Sequence, residues 1–199
     1  MAQNNNLTIQ QGKTFQFVLR WETTPIIYKP ISGITQAAPA ALTVIGHGVP
    51  NGWRVAVTNV KGMTEINATA NAVKDKDYHV ATVGTVDTIT LNDVNAMGFK
   101  AYQSGGVIQY NTPVDLTGFT ASMTIKDKKG GTSKLALTTE NSRIVINTTA
   151  HTVLLTIDAV TTAGFTWATG VYDLEMISAT GVVTLLSYGS VTVEKEVTT

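Results

Sequence analysis

The sequence predicts an all-β protein, and three observations predict it. Only 14% of the 199 residues are charged, well below the roughly 25% of an average soluble domain. Thr and Val fill much of the gap, and their stiff first side-chain torsion suits a pleated surface better than a helix. Short segments that alternate apolar and polar residues recur along the chain between Gly-containing turns, the signature of a sandwich or of small barrels. No segment carries a sustained helical periodicity.

Taken in order, Leu7 to Gln10 and Thr14 to Trp21 read as strands around the turn Gln11-Gly12-Lys13. Phe15, Phe17 and Leu19 share one face of the second strand. Glu22 to Ile34 is less regular, and Pro25 and Pro30 argue against a central strand there. Ala41 to Ile45 is a strand, Gly46 to Gly52 a turn, and Trp53 to Val60 a strand with Trp53, Val55 and Val57 on one side. Asn67 to Asp77 reads as a polar loop with a helical turn in it. Tyr78 to Val83 and Val86 to Leu91 form a hairpin across Gly84-Thr85.

Later segments repeat the pattern. Phe119 to Lys126 directs Ala121, Met123 and Ile125 inward, and Asp127 to Gly131 is a hairpin tip. Lys134 to Leu137, Arg143 to Asn147 and Thr152 to Asp158 are short strands. Ala159 to Gly164 is a single helical turn capped by Asp158. Val171 to Ser178 places Tyr172, Leu174 and Met176 inward and Asp173 and Glu175 outward. Val182 to Ser187 and Gly189 to Glu194 read as two final strands.

The bulk numbers exclude several function classes. The 14 basic and 14 acidic residues cancel, leaving no field to attract phosphate backbones or anionic lipids, so no nucleic-acid partner and no membrane partner are expected. No cysteine is present, which excludes disulfides, thiolate nucleophiles and Cys-ligated metals. The polar start Met1-Ala2-Gln3-Asn4-Asn5-Asn6 lacks the basic and apolar regions of a signal peptide, and no apolar run reaches the ~20 residues of a bilayer span. A chain made in the host cytoplasm and soluble until assembled is the expectation. Its weakly charged surface is poorly defended against self-association.

Two sets of residues resemble known families. Gly33-Ile34-Thr35-Gln36-Ala37, Gly46-His47-Gly48, Asn51-Gly52-Trp53-Arg54-Val55, Gly62-Met63-Thr64-Glu65-Ile66-Asn67, Tyr78-His79-Val80-Ala81, Thr88-Ile89-Thr90-Leu91 and Tyr102-Gln103-Ser104-Gly105-Gly106 follow one another in residues 33–107. The succession resembles the small β-barrel known as the first catalytic cysteine half-domain of ubiquitin-activating enzymes, a module whose relatives recur in phage tail and virion proteins. The flanks, Leu7-Thr8-Ile9-Gln10-Gln11-Gly12, Pro113-Val114-Asp115-Leu116-Thr117-Gly118-Phe119-Thr120-Ala121, Ile125 to Gly130, Tyr172-Asp173-Leu174-Glu175 and Gly189-Ser190-Val191-Thr192-Val193, are similar to phage proteins with an immunoglobulin-like sandwich, such as the N-terminal domain of baseplate upper proteins. The resemblance implies a discontinuous immunoglobulin-like β-sandwich, 1–32 and 108–199, with a small β-barrel, 33–107, inserted at a loop, where the chain ends are already close. The half-domain is accessory in those enzymes, and no activity carries over.

The chemical inventory is thin. His47, His79 and His151 lack a partner at metal-ligand spacing. Asp75-Lys76-Asp77 lacks the spread ligands of a calcium loop, and Gly46, Gly48 and Gly52 do not match a dinucleotide fingerprint. Asp173 and Glu175 share a solvent-facing side of a strand, where a structural role outweighs an acid pair. Asp127-Lys128-Lys129 is too short for a nucleic-acid stripe. Trp21, Trp53 and Trp167 read as core or interface anchors rather than sugar platforms. No catalytic, cofactor-binding or metal residue is therefore assigned, and no cofactor. The expected function is a non-enzymatic bacteriophage virion structural protein, a homo-oligomeric tail, baseplate or neck adaptor packed against other virion proteins. A capsid decoration protein and a host-surface glycan-binding adsorption module are the alternatives.

Overall fold

A computed structural model of the protein describes residues 2–69 and 73–197. The chain divides into two compact units, Met1–Trp21 with Val114–Thr199, and Glu22–Pro113. The first unit opens with strands β1 (Gln3–Asn4), β2 (Leu7–Gln10) and β3 (Phe15–Arg20). Leu7 and Ile9 of β2 are buried while Thr8 and Gln10 are exposed. Gly12, at φ +75°, makes the turn that follows, a conformation that glycine reaches without a Cβ clash. β2 and β3 do not pair with each other. The turn between them carries the chain from one sheet of the unit to the other.

The inserted unit holds β4 (Glu22–Pro30), β5 (Gly33–Ile34), β6 (Ala40–Thr43), β7 (Arg54–Lys61), β8 (His79–Thr85), β9 (Thr88–Leu91) and β10 (Ser104–Pro113). They form one sheet in the order β4-β10-β7-β8-β9-β6-β5, every pair antiparallel. Its core holds Leu42, Trp53, Val55, Val57, Ile89, Leu91, Ile108 and Tyr110. The expected closed barrel is not found, because β4 and β5 do not pair. Pro25 and Pro30 remove ladder donors from β4, and β5 is two residues long, features that keep a strand at a sheet edge. The unit is also wider than 33–107. Residues 22–30 and 107–113 form one antiparallel pair with an irregularity between Asn111 and Thr112, and Ile31, Ile108 and Tyr110 enter the same core, so the unit begins at Glu22 and ends at Pro113.

One local expectation shifts inside this unit. The hairpin β8–β9 turns at Val86-Asp87, with Thr85 opposite Thr88 and an irregularity at Gly84, rather than across Gly84-Thr85. The helical turn expected in the polar loop is the 3-10 turn Asp75–Asp77, another 3-10 turn, Thr64–Ile66, precedes the loop, and residues 70–72 lie outside the described residues.

The chain then returns to the first unit through β11 (Thr120–Lys126), β12 (Ser133–Thr138), β13 (Ile144–Asn147), β14 (Thr152–Ile157), α1 (Ala159–Ala163), β15 (Thr169–Ile177) and β16 (Val183–Glu194). One sheet runs β1-β16-β15-β11-β12, with β2 also parallel to β16, and the other runs β13-β14-β3. Both sheets feed one core: Leu7, Ile9, Met123, Ile125, Leu137, Leu174 and Val191 from the larger sheet, and Leu19, Val153 and Leu155 from the smaller. Each such side chain contributes about 1.5–3 kcal/mol of burial, and the arrangement is a discontinuous β-sandwich. The two expected last strands are one, because Gly189 continues the ladder. A Cβ there would meet the Asn5 carbonyl oxygen, so glycine lets the N-terminal segment lie against β16.

Candidate functional site

The three histidines are placed separately. His47 is buried in the turn after β6. Its Nδ1 accepts from the Val49 amide at 2.9 Å, so Nε2 carries the proton and donates to the Thr85 carbonyl at 2.9 Å. The Tyr110 hydroxyl donates to the His47 carbonyl at 2.6 Å, and burial pushes that phenol's pKa up. His79 on β8 meets Asp93 at 2.8 Å, a pairing across a hairpin and a turn that sequence spacing does not reveal. His151 occupies a left-handed turn at φ +52° before β14, and its Nδ1 lies 2.7 Å from the Val114 carbonyl. Among the described residues, no group of three His, Asp or Glu side chains could hold a metal ion.

Charge concentrates around Arg54, at the start of β7. Its Nε and Nη2 donate to the Glu22 carboxylate at 2.6–2.9 Å, and its Nη1 donates to Asp75 at 3.1 Å. The guanidinium also lies 4.8 Å from the Tyr78 ring centre. Asn111 donates to the same Glu22 carboxylate at 2.8 Å. Hydrogen bonding to Glu22 raises the Arg54 pKa, and the Glu22 side chain is only 8% exposed. Glu22 and Asn111 lie near the two ends of the inserted unit, so this ion-pair network clasps β4, β7 and β10 where the unit starts and finishes. Such a buried pair fixes geometry; it offers no free acid or base.

Asp75-Lys76-Asp77 is not a simple solvated loop. Asp77 is buried and accepts from the Lys74 amide and from both the amide and the hydroxyl of Thr69. The Lys74 and Thr69 amides hold its carboxyl below the usual aspartate range. Asp75 stays exposed and bonds Arg54 through a single oxygen.

Each unit has a hollow on a sheet face. In the sandwich, a groove of about 620 Å3 crosses the outer face of the larger sheet and is lined by Lys126, Asp173, Glu175, Tyr188, Asn4 and Ser190, among others. Asn4, Tyr188, Asp173 and Thr124 stand side by side across four strands. Asp173 and Glu175 do face solvent, as alternation predicts, with hydroxyl and lysine neighbours. In the inserted unit, a pocket of about 510 Å3 lies on the face of β4, β10 and β7 and includes Tyr28, Asn59 and Gln109.

The tryptophans are structural. Trp53 is fully buried and donates to the Asn111 carbonyl at 3.1 Å. Trp21 packs edge-on against Phe119, and Trp167 packs against Phe165, all four beside the sandwich core. Gly46, Gly48 and Gly52 all have positive φ, so that segment is a turn. The tip Asp127 to Gly131 is closed by Asp127, which accepts from the Lys128 and Thr132 amides.

No family model matches the sequence, and no curated protein matches it at a significant level.

Proposed function

We propose that this chain is a non-enzymatic structural protein of a tailed-phage virion, a multi-copy tail, baseplate or neck adaptor that works by packing against neighbouring protein. The observation that carries the reading is the end of the β15–β16 hairpin. Val182, Val183 and Leu185 are 61%, 55% and 39% exposed. β1 and β2 cover the outer edge of β16 only at Ser187–Tyr188 and Val191–Glu194, so Val183–Leu185 pair with β15 on one side and, among the described residues, meet no strand on the other. An unpaired edge beside exposed aliphatic side chains is a template for another chain, and here the occupant is a neighbouring copy in a ring. A second apolar strip, Val18, Leu154 and Val145, crosses the outer face of the smaller sheet in register. The near absence of net charge suits close packing between copies.

Val183→Lys combined with Leu185→Lys tests the reading. Both residues are exposed, so the variant folds. It is expected to be lost from assembled particles while remaining monomeric and folded in the lysate. Incorporation at the wild-type level would refute the edge as the packing surface.

A further inference from the structure

The inserted unit carries a hollow that packing does not require. Its floor is Gln109 on β10, which is 8% exposed. Tyr28 of β4 and Ala56 of β7 stand on either side of it in register. Among the described residues, the Gln109 side-chain amide has no hydrogen-bond partner, and no buried side-chain nitrogen or oxygen lacks one. The amide therefore keeps its contact with solvent, and it lines the 510 Å3 pocket. A nearly buried amide with free donors and a free acceptor that lines a hollow is available to whatever fills that hollow.

The walls narrow the choice. Tyr28, 58% exposed, presents its ring at the rim. Thr58 and Asn59 come from β7. Asn59 adopts φ +60°, which breaks the alternation of the strand. Val60 thereby returns to the core and Asn59 stays outside. Asn67 and Thr69 also line the pocket, already bonded to Val60 and Asp77. Among the described residues, no charged side chain lines the pocket. An anion would find no cation there, and a cation no carboxylate. An apolar ligand would strip water from Gln109 and give nothing in return. What remains is an uncharged ligand with hydroxyl groups to exchange with an amide and a C–H face to lay on an exposed aromatic ring.

We propose that this pocket binds a neutral saccharide, one pyranose unit resting on Tyr28 with its hydroxyls bonded to Gln109. The inference is independent of the packing role assigned to the sandwich. A peptide strand paired to the free edge of β4 is the competing occupant, and it would use backbone groups rather than Gln109.

The test is NMR titration of the full chain with glucose, galactose, mannose, N-acetylglucosamine and N-acetylgalactosamine disaccharides. Probes at about 10 mM reveal the roughly millimolar affinity of a single-sugar contact. At least one probe is expected to shift resonances of residues 26–30, 56–59 and 107–109. Tyr28→Ala and Gln109→Leu are each expected to weaken that probe about tenfold, while Val160→Ala on α1 leaves it unchanged. Tyr28 is exposed, so its variant stays informative even if Gln109→Leu folds poorly. The proposal is overturned if no neutral probe shifts these residues, if binding survives both variants, or if an uncharged extended peptide binds there and the sugars do not.

Discussion

The sandwich and the inserted unit solve the same problem differently. In the sandwich, strand alternation alone builds the core, as in β11, where Ala121, Met123 and Ile125 point in and their neighbours out. Two sheets face each other, and the buried polar side chains among the described residues are Thr162 of α1 and Ser187 of β16, which bonds the Tyr172 hydroxyl. The inserted unit has one open sheet and reaches its core with help from loops. His47 bridges its turn to β8, Asn67 bonds both backbone groups of Val60, Asp77 gathers three donors, and Glu22 holds Arg54 and Asn111. A one-sheet unit cannot bury both faces against a second sheet. Polar bonds from its loops add to a core that β6, β7, β8, β9 and β10 supply.

The largest effect that would break this comparison comes from Trp53→Ala. Removing a fully buried indole costs about 3–5 kcal/mol. Hydrogen exchange should show lost protection across 22–113, with 114–197 keeping its own. Equal loss in both segments would mean that the units do not hold separate cores.

Glu22→Ala follows. It leaves a half-buried guanidinium without its carboxylate, a loss of about 2–3 kcal/mol, read as a lower denaturant midpoint for the inserted unit. Double mutation with Arg54→Met should recover part of the loss, because the stranded charge is gone.

Asp158→Ala, in the sandwich, should cost about 1 kcal/mol. It removes the cap on α1, where Asp158 accepts from the Thr161 amide at 2.7 Å. A sandwich held by alternation should keep its transition intact and merely shift it.

Acid gives the smallest effect and touches both units. Backbone amides lower the carboxyl of Asp77 in the inserted unit and that of Asp158 in the sandwich, and the Thr117 hydroxyl lowers that of Asp115. Their folded-state pKa values lie below the ordinary 3.8, so their stabilisation is complete above that value. It fades as pH falls through the lower folded values. Urea midpoints should be flat down to about pH 4 and decline below it. A rise in stability on acidification would contradict these bonds.

The sequence displays what is local. Alternation reveals β7, β11 and β15 and the face each buries, and the prolines mark β4 as peripheral. Partners set by distant chain are hidden. β2 and β3 look like a hairpin, yet β2 pairs with β16, more than 180 residues away. Gly189 looks like a break, and its small size instead admits the Asn5 carbonyl. Gln109 falls on the outward phase of an alternating strand and reads as an ordinary surface residue. Its pocket draws on residues 28, 58–59 and 67–69, which only the folded sheet brings together. The Arg54 network is hidden likewise, since Glu22 lies 32 residues from Arg54.

The most direct test of the virion role is quantitative mass spectrometry of purified particles with heads and tails separated. The account predicts this chain in the tail fraction, at a copy number matching the symmetry of a tail ring. Its absence from both fractions would contradict the virion role outright, and recovery with the heads at on the order of hundreds of copies would replace the adaptor with a capsid decoration protein.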